Sequence, residues 1–209
     1  MPRPRLKSRE NLLQNAMWVF WTKGYYATSI DDLVKATGVA RSGIYSEFGG
    51  KEEALTNCLA HYREVIADPA IAILHRNEDG LEAIRGYFDY FIGMHRKHGM
   101  PGPGCFMANV MTEVAPHCEP VHQQALAHKA DLHQGFQTAL CRAARHSGYK
   151  IGPEEVDNLA TFLSIASQGL WSYARSMDDV AELDQFAREA LALVETRLSV
   201  FAKANGSES

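Results

Sequence analysis

Apolar residues recur along this chain at intervals of three and four, and no segment alternates strictly over a strand's length, so the pattern predicts an all-α protein. Leu13, Met17, Phe20 and Trp21 mark the apolar side of a first helix over 8–22. Ile30, Leu33 and Val34 then form a short stripe on a second helix. Gly38 interrupts it, and Val39 and Ile44 anchor a third from beneath. A fourth helix is predicted from 51 to about 66, where Asp68-Pro69 breaks it. Further helices follow near 80–98, 105–114, 120–146, 153–177 and 179–202. The last two carry long apolar stripes, Leu159, Phe162, Leu163, Ala166, Leu170 and Tyr173 on one and Leu183, Phe186, Ala190, Leu191, Val194 and Leu198 on the other.

The stretch 28–51 reads as a helix-turn-helix. Thr28 and Ser29 are N-cap types, each with an Asp three residues on, Asp31 and Asp32, which is capping-box spacing. Gly38 sits where the tight turn favours positive φ. Packing on Val39 and Ile44 leaves Arg41, Ser42, Tyr45 and Ser46 pointing outward. A helix entering a major groove about 12 Å wide needs short side chains plus a few long donors. Arg41 can bond a guanine edge through two donors, Ser and Tyr hydroxyls suit phosphate or base, and Gly43 lets backbone approach. Lys51 opens the next helix against the sense of its dipole, a conflict that a docked phosphate would resolve. Glu47 faces the same surface. It can accept a cytosine amino group, pair with Arg41 or turn to solvent.

Charge sharpens this picture. Through Lys51 the chain carries eight Lys or Arg against four Asp or Glu, and the remainder thirteen against twenty-one. The overall charge of -4 therefore hides a basic head on an acidic body, and nucleic-acid binding follows the local patch. Arg3, Arg5, Lys7 and Arg9, interrupted by Pro2 and Pro4, form a basic arm suited to a minor groove or to a merely solubilising terminus. A length of 209 residues and 46% apolar content fit one or two domains with an ample core. No apolar run is long enough to span a bilayer, and the N-terminus lacks the apolar segment of a signal peptide, so the expected location is cytoplasmic. Cys58, Cys105, Cys118 and Cys141 lack CxxC spacing and are expected to be reduced.

The segment GYYATSIDDLVKATGVARSGIYSEFGGKEEAL resembles the N-terminal domain of the TetR family of bacterial transcriptional regulators. Phe20, Gly24 and Tyr25 match its aromatic-glycine approach, Thr28 the Thr that opens its second helix, and Tyr45, Phe48 and Lys51 its Tyr, Phe and Lys. Ser46 and Glu47 depart from the His or aromatic often found there. The resemblance implies an N-terminal DNA-binding domain over 1–50 and a helical effector-binding and dimerisation domain over 51–209, joined by a linking helix over 51–66. It also implies a homodimer paired through the last two helices, a palindromic DNA operator, and repression relieved by a small-molecule effector. Residues 101–115, PGPGCFMANVMTEVA, resemble a GC-x-x-x-N element of a branch in which some members sense electrophiles, oxidants or metals. Cys105 is then either a thiol sensor, activated at a helix start, or a buried space-filler.

An apolar or amphipathic effector suits the flexible lining offered by Phe106, Met107 and Trp171, with His95, Asn109 or Tyr173 to orient it. The pairs His95 with His98 and Cys118 with His122 have two-ligand helix spacing, but two ligands make no tight site, so no metal and no cofactor is expected. No catalytic motif is present, which argues against an enzyme. A helical adaptor that binds only protein would account for the C-terminal stripes and leave Arg41, Tyr45 and Lys51 without a role. Effector identity, operator sequence and the choice between repression and activation are not written in the residues.

Overall fold

The computed structural model describes residues 8–76, 79–99 and 102–204, the last four by backbone alone, so Arg3 and Arg5 lie outside the described residues. Among the described residues every regular element is helical. The order is α1 (Arg9–Lys23), α2 (Ile30–Thr37), α3 (Arg41–Phe48), α4 (Lys51–Tyr62), a π turn (Arg63–Ala67), α5 (Asp68–Leu74), α6 (Gly80–His98), α7 (Phe106–Glu113), a 3₁₀ turn (Ala115–His117), α8 (Glu119–His146), α9 (Pro153–Tyr173) and α10 (Val180–Ala204). None of the helices among the described residues is long and apolar enough to cross a membrane.

The chain forms two compact units. The first comprises Met1–Ile66 and Phe106–Ala125, and the second Ala67–Cys105 and Leu126–Ser209. The unit around the helix-turn-helix is thus wider than the 1–50 expected from sequence, since it takes in α4 and recruits α7 from far along the chain. Its core is aromatic. Trp21 of α1 meets Tyr62 of α4 edge-on at 5.2 Å, and Phe106 of α7 packs on both, at 6.1 Å and 5.7 Å. Each such ring contributes on the order of 1.5–3 kcal/mol by leaving water, and edge-to-face contact adds to that. Leu33, Ile44 and Leu55 are fully buried in the same unit.

In the second unit Tyr87, Phe88 and Phe91 of α6 line up against Phe136 of α8 and Trp171 of α9, with Tyr87 to Phe136 at 5.2 Å and Phe91 to Trp171 at 4.9 Å. Asp79 caps α6 by accepting the Leu81 N–H at 3.0 Å. Gly80 follows because an added Cβ would lie 1.8 Å from the Ala139 carbonyl oxygen, so only glycine lets α6 start this close to α8.

Asp68-Pro69 does not break the helical path. The π turn widens the ladder ahead of it, and Pro69 falls in the first turn of α5, where a missing N–H costs nothing. The remaining helices lie within a few residues of the ranges read from periodicity, and α6 has the expected bounds of 80–98.

Candidate nucleic-acid interface

Three short segments of the first unit build this surface: the turn between α1 and α2, the exposed face of α3, and the first residue of α4. Ser29 starts α2. Its hydroxyl oxygen accepts the Asp32 N–H at 3.1 Å, and the Asp32 carboxylate accepts the Ser29 N–H at 2.8 Å, a reciprocal capping box. The same carboxylate oxygen accepts the Lys23 ammonium and the Ser29 hydroxyl, each at 2.6 Å. These bonds, Lys23's first, hold Asp32 ionised well below the usual carboxylate range. The spacing also offers Thr28 with Asp31 as a box, and the structure uses both residues elsewhere. Thr28 is 2% exposed and donates its hydroxyl to the Gly24 carbonyl at 2.6 Å, tying the turn to the end of α1. Asp31 accepts the Arg41 guanidinium at 2.8 Å.

Gly38, left-handed at φ 70, ends α2 and redirects the chain into α3. There Ile44 and Phe48 are buried, and Arg41, Ser42, Tyr45 and Ser46 are exposed on the opposite side, Tyr45 to 48%. Gly43 is half-buried, and a Cβ on it would lie 2.3 Å from Val39 Cγ1, so the missing side chain first makes room for Val39. Glu47 takes none of the three dispositions open to it in sequence. It accepts Arg9 Nε at 2.8 Å, which turns the acid of α3 toward α1 and leaves Arg41 to Asp31.

Lys51 occupies the first position of α4, and its ammonium lies 4.3 Å from the centroid of the Tyr25 ring. Partial burial lowers its pKa, and the Glu113 carboxylate from α7 acts in the opposite sense. The adverse dipole at this helix start is therefore met by an aromatic face and an acid. Sequence gives no sign of either partnership, because Glu113 is far away in the chain and Tyr25 sits outside the helix. Ala40 and Gly50 give α3 and α4 no side-chain caps, so both helices present uncapped starts on this surface.

Residues 12–56 match the family described as "Bacterial regulatory proteins, tetR family", and residues 80–190 match the "Tetracyclin repressor-like, C-terminal domain". The chain belongs to the TetR family of bacterial transcriptional regulators. It is 33% identical over 193 residues to the HTH-type transcriptional repressor ComR of Escherichia coli K12, covering 91% of this chain and 90% of that protein. It is 24% identical over 185 residues to the transcriptional repressor DhaR of Mycobacterium sp. strain GP1, covering 87% and 89% of the two chains. A solved structure of the TetR-family regulator CifR, as a cysteine mutant complexed with 26-bp double-strand operator DNA, superposes with a TM-score of 0.77 at 25% identity, covering 91% of this chain and 98% of that one. The TetR-family chain described here is a DNA-binding transcriptional regulator, and its family does not consist of enzymes.

Within this TetR-family chain the expected effector residues fall in three places. His95, at the end of α6, is buried and stacks on Trp171 at 6.3 Å, and both belong to the second unit. Burial lowers the His95 pKa, with the neighbouring His98 acting the same way. Phe106 and Met107 are buried in the first unit, where Asn109 also lies. Tyr173 is 64% exposed and lines a groove of about 730 Å³ along α9 and α10, whose lining includes neither His95 nor Trp171. Cys105 is buried, one residue before α7 begins. Among the described residues no three His, Cys, Asp or Glu side chains are placed to hold a metal ion.

Proposed function

We propose that this regulator is a repressor that binds a palindromic operator as a homodimer and leaves it when a small apolar or amphipathic effector occupies the second unit. The observation that carries the reading is the single exposed face on which α3 presents Arg41, Ser42, Tyr45 and Ser46, with Lys51 in the same compact unit. Donors of that length and spacing suit a major groove and its flanking phosphates. Repression is the activity named for ComR and DhaR. Pairing accounts for apolar side chains left on the surface of α9 and α10, where Phe162, Ile165, Tyr173 and Leu193 are exposed. Two-fold pairing would place two α3 helices in successive major grooves. The aromatic interior of the second unit around Phe91, His95 and Trp171 suits an apolar effector, which must bind the DNA-free arrangement more tightly to drive release. Membership of a family of bacterial DNA-binding regulators supports the cytoplasm as the working compartment.

Selection of bound fragments from a random DNA pool tests this reading, and the expected result is an enriched palindrome. On that site Tyr45→Ala and Lys51→Ala are expected to weaken binding by about tenfold each, roughly the worth of one good contact, with sedimentation unchanged. Unchanged affinity in both variants would count against the assignment. The thiol reading is tested alongside, by repeating the selection with a mild oxidant on the protein and on Cys105→Ser.

A further inference from the structure

Helix α7 enters the first unit from far along the chain, and its last residue reaches the DNA-facing surface. Glu113 accepts the backbone N–H of Tyr26 at 2.9 Å, a contact across 87 residues. It also fills the space beside Gly24, where an added Cβ would meet both carboxylate oxygens at 3.1 Å and where φ of +85 already disfavours any other residue. Its charge acts on Lys51, whose ammonium lies over Tyr25, the neighbour of Tyr26. One carboxylate therefore touches or influences three points: the end of α1, the turn into α2, and the start of α4.

We propose that Glu113 is a positioning residue for operator binding, holding the Gly24–Tyr26 turn, and with it the Tyr25 ring on which the Lys51 ammonium rests, in register for the phosphate backbone. The proposal rests on the reading of Lys51 as a phosphate contact. The turn supplies Tyr26 and the capped start of α2, and Lys51 supplies the charge. A backbone N–H donated to a carboxylate is a strong tie for so short a segment. The tie has an electrostatic cost, because an acid near a phosphate-binding lysine repels the incoming DNA. Its two effects can therefore be separated by substitution.

Glu113→Gln keeps an oxygen that accepts the Tyr26 N–H and removes the charge, whereas Glu113→Ala removes both. Operator binding is measured over a range of salt concentrations for the full chain, for these two variants and for Lys51→Ala. Glu113→Ala is expected to bind about tenfold more weakly, with a flatter salt dependence as the Lys51 phosphate contact is lost, by about one slope unit per contact. Glu113→Gln is expected to bind at least as well as the unaltered protein. A fall in folded fraction alone would lower binding without changing the salt slope. Amide exchange at Tyr26 provides a second measurement on the unaltered protein, with protection expected. Loss of affinity in Lys51→Ala with none in Glu113→Ala would overturn the positioning role alone. Tighter binding in both Glu113 variants would also overturn it, leaving only repulsion, and a Tyr26 amide exchanging at the rate of an open loop would overturn it without any substitution. No effect of Lys51→Ala would instead overturn the phosphate reading on which the proposal stands.

Discussion

Asp31 and Arg41 belong to different helices, ten residues apart, and meet at 2.8 Å in full view of solvent. Exposed pairs of this kind do little for folding, but if Arg41 contacts DNA as proposed, the carboxylate competes with base or phosphate for its guanidinium. Asp31→Asn is expected to leave the thermal midpoint nearly unchanged and to strengthen DNA binding several-fold at low salt, with the gain fading as salt screens it. Equal affinities at all salt concentrations would show that the pair does not restrain Arg41. Sequence makes Arg41 a candidate from its place on α3 and offers Glu47 as a partner, whereas the fold pairs it with Asp31. Helical spacing reports neighbours along one helix, whereas Arg41 with Asp31 and Glu47 with Arg9 are set by how helices cross. Thr28 shows the same boundary from the other side. Its spacing to Asp31 suggests a capping hydroxyl, and the fold instead buries it against Gly24.

Helix starts were more legible than side-chain pairings, because a cap is local chemistry. Ser29, Asp32 and Gly38 bracket α2 as their spacing predicts. The cap also gives α2 a pH dependence of definite sign. Asp32 is held ionised below its ordinary range, so its contribution is complete above about pH 4 and is lost as pH falls toward its lowered value. In urea titrations Asp32→Asn is expected to lower the midpoint at neutral pH, and the gap from the unaltered protein should narrow progressively as pH falls below about 4. A gap of the same size at pH 7 and at pH 2 would assign the loss to packing. Asp68-Pro69 shows what local signals miss. A proline stops a helix that is already running but is welcome in the first turn of a new one, and only the π turn ahead of it distinguishes the two.

For the whole molecule, periodicity identified the all-α class and the stretches that become helices, since burying one face of each helix leaves a repeating mark in the residues. It did not identify which units the helices join, and α7 is the clearest case, packing with the first unit although α6 before it and most of α8 after it belong to the second. The stripes of α9 and α10 were equally ambiguous. Leu159, Leu163 and Leu170 are buried, whereas Phe162 and Tyr173 of the same stripe are exposed, and Ile165 is 68% exposed. Both faces are apolar, so spacing alone could not separate core from surface. If the exposed face joins two chains, Ile165→Glu should convert dimers to monomers in sedimentation and abolish operator binding while leaving the helical content intact. A dimer that survives the substitution would move the interface elsewhere. The proposed pairing also has a consequence for dosage. At low abundance the amount of paired protein varies with the square of the amount of chain, so halving synthesis cuts operator occupancy to roughly a quarter. An unsatisfied strip of side chains on two helices would then make the regulated genes respond to the regulator's own copy number more steeply than in proportion.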